Sequence, residues 1–337
     1  MFNITDRSIV YVVCPGNYKT GGTELPHQLV YLLNRFGIHA FITYYGKEED
    51  IKIHPEFRKY INDFKSINDI IDDMNNVAIF PEIVPELAEK FNRIQIAIWW
   101  MSVDNYYKYD SVWNAIRYYG VKGGVWLYLH GYAHFISKKI NKEYLHLYQS
   151  EYAHQFLLKK GITNTAHLSD YLNTEYLDNE PDFSNRKNIV IYNPAKGYEF
   201  TKKIIQRSKN IKWVPIKGMS SEQVHDLMSI AKVYIDFGNH PGKDRMPREA
   251  AMCGCCIITG KKGSAAYYED VTIDPEFKFN NKTKDIPKII HKINCCLKNY
   301  DQEVQRFAKY RERIKNEYNV FEQDVKKIFG VCQSNNE

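Results

Sequence analysis

The stretch NHPGKDRMPREAAMCGCCIIT, from Asn239 to Thr259, gathers the residue types that handle a charged ligand. Lys243, Asp244 and Arg245 precede Pro247, and Glu249 follows. Proline is pre-set for the first turn of a helix. The spacing predicts a short helix started by Pro247 and ended at Gly254, then a strand over CCIIT. A helix start presents unpaired N–H groups and the positive end of its dipole, and two cations beside it make a pyrophosphate site. Glu249 then falls in the first helical turn, where a carboxylate can accept hydrogen bonds from both hydroxyls of a ribose. The competing reading is that Glu249 only complements the helix dipole and that Arg245 or Arg248 pairs with a nearby acid.

Two further loops join a strand to a helix. In GNYKTGGTE (Gly16–Glu24), Gly21 and Gly22 let backbone approach a ligand closely at a helix start. The loop is neither GxGxxG nor a Walker loop, and a plain tight turn explains it equally well. In NPAKGYE (Asn193–Glu199), Lys196 can place a point charge near a phosphate, or it is a solvated lysine beside a turn glycine.

Candidates for acid or base work lie earlier in the chain. Asp104, in WWMSVDNYY, follows a buried-looking strand at the end where α/β ligand sites gather, and it serves equally well as a helix cap. His130 and His134, in LHGYAHF, would follow another strand, GVWLYLH, and either could work near neutral pH. Glu24 and His27 are further options. Trp99, Trp100, Tyr106 and Tyr107 could stack on a sugar ring, but as a group they read as core.

These residues need elements to position them. The chain alternates strand-like runs (Ser8–Cys14, HAFITYY, VAIFPE, RIQIAIWW, EYLHLYQ) with helix-like ones, then restarts after a polar stretch, His167–Asn188. The second series runs IVIYNP, IKWVPI, KVYIDFG and CCIIT, with a capping box expected from Ser220 to Gln223 and helices from Thr283 onward. The expected plan is an N-terminal domain over 1–168, a linker over 169–188, and a second domain over 189–337 whose last helices can cross back.

Composition bounds the rest. The 337 residues, 44% of them hydrophobic, suffice for two domains, and a net charge of +6 suits anionic ligands or an anionic membrane surface. Basic runs are no longer than pairs, such as Lys202-Lys203, Lys261-Lys262 and Lys326-Lys327, so nucleic acid is not an expected partner. No apolar run approaches a spanning helix, and the N-terminus reads as a first strand rather than a signal peptide. The odd count of seven cysteines points to a reducing compartment, and CGCC reads as buried small residues rather than a zinc site. The expected location is the cytoplasm, with peripheral contact at the inner membrane face as an option.

The second half resembles the donor-binding domain of the GT-B glycosyltransferases, in particular the large family with a Gly-Gly loop in its first domain. REAAMCGCCIIT stands where that family has EAMACG and a β-run. WVPIKGMSSEQVHDLMSIAKVYIDFG resembles the segment before it, GGTELPHQLVYLLNRFG the first loop and helix, and YQSEYAHQFLLKKG the helix before the linker. The resemblance implies an α/β, GT-B architecture: two Rossmann-like domains with a cleft and C-terminal helices. It implies transfer of a hexose from a UDP- or GDP-type sugar to a glycan, lipid-linked or protein-linked hydroxyl. Glu249 would bind the ribose. Lys196 and Arg245, with Lys243 as alternate, would hold the diphosphate, and Gly21-Gly22 would approach it. Trp213 to Ile216 would lie near the base. Asp104 and His130 are the catalytic candidates. The family's first acid, eight residues before Glu249, is replaced by Pro241, and Asp244 would substitute from a shifted position. Without Asp-x-Asp, no metal or other cofactor is expected to be essential. The alternatives are a nucleotide-sugar epimerase of the same fold and a non-catalytic nucleotide-sugar-binding subunit.

Overall fold

The computed structural model describes residues 1–46, 48–130, 133–135, 140–177 and 180–331. The chain divides into two compact units, one made of residues 1–170 together with 319–337, the other of residues 171–318.

In the first unit, β1 (Ile9–Pro15), α1 (Gly21–Arg35), β2 (His39–Tyr45), β3 (Phe64–Ser66), β4 (Val77–Pro81) and β5 (Gln95–Trp100) are followed by α2 (Val103–Asp110) and α3 (Val112–Leu129). Then come β6 (Leu145–Tyr148), α4 (Glu151–Lys159) and β7 (Thr165–His167). The sheet order is β3-β2-β1-β4-β5-β6-β7, parallel throughout. Val10 to Cys14 and Val77 to Phe80 are buried without a break, as strands covered on both faces must be. The order reverses between β1 and β4, so the loops after these two strands flank a crevice at the sheet's C-terminal edge. Thr20 caps α1 in a capping box with Thr23, which makes Gly21 and Gly22 the first two helical residues.

One expected strand is not a strand. GVWLYLH belongs to α3. A run of seven apolar and aromatic residues fits a buried strand or a helix equally, and here the neighbouring sequence sets helix. Ser111 caps the start, accepting from the Asn114 amide. The helix bends at Gly120, whose φ is 73°. A Cβ at Gly124 would lie 2.4 Å from Ile116, so only glycine lets the second arm pass the first. VPELAEKFN forms a 3-10 turn at Pro85–Lys90 rather than an α-helix.

The second unit contains β8 (Lys187–Tyr192), α5 (Tyr198–Gln206), β9 (Lys212–Pro215), α6 (Ser221–Ile230), β10 (Ala231–Asp236), α7 (Arg245–Met252), β11 (Cys256–Gly260) and β12 (Lys278–Phe279). After them come α8 (Ile286–Lys298), α9 (Tyr300–Gln305), α10 (Ala308–Lys315) and α11 (Glu317–Phe329). Its parallel sheet runs β12-β11-β10-β8-β9, reversing between β8 and β10. Ser220 and Gln223 form the expected capping box. The stretch expected as a linker is packed: Leu172 and Tyr176 lie in this unit's core, and Arg186 donates to the carbonyls of Met228 and Ala231. Most of α11 belongs to the first unit, where Asp324 meets His167 at 2.6 Å and the Ile328 carbonyl accepts from the Phe2 amide.

Candidate functional site

The second unit gathers polar groups where its strand order reverses, in the loops after β8 and β10. These loops touch through backbone. Gly197 has φ 67°, and a Cβ on it would lie 2.5 Å from the Phe237 carbonyl and the Gly238 amide. A Cβ on Gly238 would in turn strike the Lys196 side chain at 2.7 Å. The β10 loop is fixed from its other side as well. Ser264 donates from its amide to the His240 carbonyl (2.9 Å) and from its hydroxyl to the Gly242 carbonyl (2.6 Å).

Four ionisable side chains meet between the loops. The Lys196 ammonium pairs with Asp244 and lies 3.6 Å from Asp236. The fully buried His240 ring reaches Asp236 at 3.5 Å and Asp244 at 3.0 Å. Burial pushes the Asp236 carboxyl up, but His240, Lys196 and the Gly238 amide together hold it well below the usual carboxylate range. The same balance raises Lys196: burial acts against its charge, and Asp236 and Asp244 overcome it. Asp236, His240 and Asp244 are the group of candidate metal ligands found among the described residues, with their ligand atoms within 4.8 Å of one another. The Lys196 ammonium lies against both carboxylates and offsets one of their two negative charges.

Helix α7 starts at Arg245, two residues earlier than the sequence implies. Pro247 is therefore its third residue, and Glu249 its fifth, just beyond the first turn. Asp244 occupies the cap position without bonding an amide, because its carboxylate is engaged by Lys196 and His240. Arg245 and Glu249, four apart, share a face of α7. Both act on the phenol of Tyr176, which burial and then the Glu249 charge push up. Arg248 is the staple behind this surface. It is 1% exposed, donates to Glu317 at 2.6 Å and to the Lys243 carbonyl at 3.0 Å, and also reaches the Asp244 carbonyl. Lys243 meets the same Glu317 at 2.9 Å. So the expectation that an arginine here pairs with an acid holds for Arg248, and Lys243 is drawn toward that acid too.

Beside this cluster, at the C-terminal ends of β8 and β9, lies a groove of about 550 Å³ lined by Tyr192, Pro194, Tyr198, Pro215, Ile216 and Lys217 among others. Its wall is mostly apolar and aromatic. Tyr192 and Tyr198 stand nearly parallel, 6.2 Å apart, and Trp213 braces Tyr192 from behind at 6.1 Å. Ile216 thus faces the groove, whereas Trp213 supports it.

The remaining candidates belong to the first unit. Gly21 and Gly22 open α1, with the amides of its first turn. Asp104 is the second residue of α2, is 9% exposed, and accepts from the Tyr152 hydroxyl at 3.2 Å. The cap of α2 is Ser102 rather than Asp104. His130 ends α3, exposed and stacked on Trp126 at 4.2 Å; it follows a helix, not a strand. Glu24 and His27 are tied into the unit's interior. Glu24 accepts from the Tyr60 hydroxyl, and His27 bonds the Thr23 carbonyl and the Tyr44 hydroxyl. Burial lowers His27 to about 4. Sequence reading passed over Glu82, just beyond β4 at the crevice. It is 3% exposed, accepts from the Met101 amide at 3.2 Å, and is pushed by burial up to about 8. It also passed over Asp236, His240 and Glu317, whose roles depend on partners across loops. Six cysteines are free and, apart from the half-buried Cys295, buried; Cys332 lies outside the described residues.

No protein-family model matches the chain. An alpha-1,6-glucosyltransferase of Actinobacillus pleuropneumoniae serotype 7 (strain AP76) is 24% identical over 218 aligned residues, and the match covers 59% of this chain and 64% of that protein. The match thus spans slightly less than two thirds of the curated relative. Among solved structures, a glycosyltransferase from Rickettsia africae ESF-5 covers 98% of the chain and 100% of its own length, with a TM-score of 0.64 and 14% identity. HepE of Anabaena, in complex with UDP-glucose, covers 96% and 100%, with a TM-score of 0.59 and 11% identity. With its two parallel sheets, each reversing once, and these matches over nearly the whole chain, the protein has the GT-B fold of the glycosyltransferases.

Proposed function

We propose that the chain is a glycosyltransferase that moves a hexose from a nucleoside-diphosphate sugar to an acceptor hydroxyl on a glycan, a lipid-linked glycan or a protein glycan. The observation that carries this reading is the groove at β8 and β9 beside the start of α7. An apolar, aromatic slot suits a nucleobase, and a helix N-terminus with Arg245 and Lys196 near it suits the diphosphate. Glu249, one turn on, accepts from the ribose hydroxyls, Ile216 contacts the base, and Trp213 braces the wall. Lys243 steadies the loop through Glu317. The curated relative's name and the UDP-glucose bound by HepE favour uridine as the base and glucose as the sugar.

In the reaction the acceptor oxygen bonds to the anomeric carbon. The bond from that carbon to the phosphate oxygen breaks, and the nucleoside diphosphate leaves with the electron pair. The hydroxyl proton passes to a base, for which Asp104 and His130 are the candidates. The α7 N-terminus and the cations stabilise the negative charge that grows on the leaving group, so no metal is essential. Contact with an inner membrane face would suit a lipid-linked acceptor.

The test is a thermal-shift screen of UDP, GDP, ADP, CDP and their sugars on wild type and Glu249→Ala. A ligand that binds only the folded state raises the midpoint. A rise with UDP and UDP-glucose, lost in Glu249→Ala, is expected. No rise with any nucleotide overturns the donor site, and a rise that survives Glu249→Ala overturns the role of Glu249.

A further inference from the structure

In the first unit, α3 leaves its apolar side chains in the open. Leu129 is 73% exposed, Val121 67%, Trp113 63% and Trp126 51%, with Tyr118, Tyr119, Val125 and Tyr128 exposed as well. From residue 117 to 130 the buried residue is Gly124, at the crossing with Ile116. The rings are continuous. Phe135 returns along the helix and meets Trp113 at 5.9 Å and Tyr128 at 6.2 Å, both edge-on. A helix apolar on nearly all sides is ordinarily covered, and single exposed apolar residues need no such cover. Here they form one surface.

Charge identifies the cover. Ser111 to Lys142 contains Arg117, Lys122, Lys138, Lys139 and Lys142, and no aspartate or glutamate. Arg117 and Lys122 are exposed on α3 itself. A second copy seated on this face would set like charges against each other. Tryptophan and tyrosine favour the boundary between headgroups and acyl chains, and lysine and arginine beside them favour anionic headgroups. We propose that α3 and the Ala133–Phe135 turn form a docking surface for an anionic lipid bilayer. The aromatic and aliphatic side chains enter the interface, and the cations stay at headgroup level. The proposal does not depend on the donor site.

The test is flotation of the full chain with phosphatidylcholine vesicles, with and without about one-third phosphatidylglycerol. Wild type is expected to float with the anionic vesicles, with a blue shift of tryptophan emission, and to stay behind with the neutral ones or at high salt. Trp126→Asp combined with Leu129→Asp should remove the binding, and Lys122→Gln should weaken it about fivefold. Both variants should keep the wild-type unfolding midpoint. If the double variant does not fold, Lys122→Gln and Leu129→Ser decide. The proposal is overturned if wild type ignores anionic vesicles, or if the folded variants float as well as wild type does. It is overturned equally if the substitutions split a dimer or weaken glycan binding while flotation is unchanged.

Discussion

Both sheets end in polar groups at the point where their strand order reverses, yet the two ends are built differently. At the first, burial holds the groups neutral: Glu82 keeps its proton up to about pH 8, and His27 lacks one above about pH 4. At the second, the groups are charged and satisfy one another, as Lys196 does between Asp236 and Asp244, and Arg248 beside Glu317. Desolvation wins at His27, where Glu24 is the opposing charge, and at Glu82, and loses where two or three partners oppose it, as at Asp236. A charged cluster can exchange one of its anions for a ligand's phosphates. A neutral, buried carboxyl offers a hydrogen bond or a proton instead.

Arg248→Ala should break the charged end most severely. It leaves the buried Glu317 with Lys243 as its remaining cation and frees the Lys243–Asp244 backbone, a loss of about 3 kcal/mol seen as a large fall in the unfolding midpoint. Glu82→Gln sharpens the contrast through pH. The folded Glu82 pKa of about 8 stands above its ordinary 4.5, so the folded state binds the extra proton and stability falls as pH rises through that window. Between pH 6 and 9 wild type should lose about 3 kcal/mol that Glu82→Gln keeps, at about 1.4 kcal/mol per unit up to pH 8. His27 acts in the opposite sense, adding stability as pH rises from about 4 toward 6.5. Gly197→Ala should cost about 1–3 kcal/mol, because the left-handed backbone and the Phe237–Gly238 contact both exclude a Cβ; the UDP response should weaken with it. The smallest expected effect is that of a chelator. EDTA should leave UDP-sugar turnover unchanged, and a loss restored by a divalent cation would show that turnover needs a metal.

Much of the fold was legible because it rests on local signals. β1 and β4 are continuous apolar runs, α6 carries its capping box, and Gly254 ends α7 with φ 88°. The edge strands β3, β7 and β12 are two or three residues long and have no pattern to read. α3 was misread because a short apolar run carries no decisive period. At the candidate site, Lys196, Arg245 and Glu249 stood out by type and spacing. Their surroundings did not, since Glu317 lies 69 residues from Arg248 in the chain. Nothing local in VAIFPE marks its final glutamate as buried; that follows from the pairing of β4 with β5, where the Glu82 amide bonds the Trp99 carbonyl.

The return of α11 to the first unit sets the order in which the chain can fold during synthesis. Phe2 and His167 find their partners at Ile328 and Asp324, which emerge only after residues 171–318 have been translated. At the pace of a ribosome that interval is roughly seven to thirty seconds. The seven strands of the N-terminal sheet all precede residue 170 and can pair as they emerge, while the surface around Phe2 and His167 stays bare until α11 arrives.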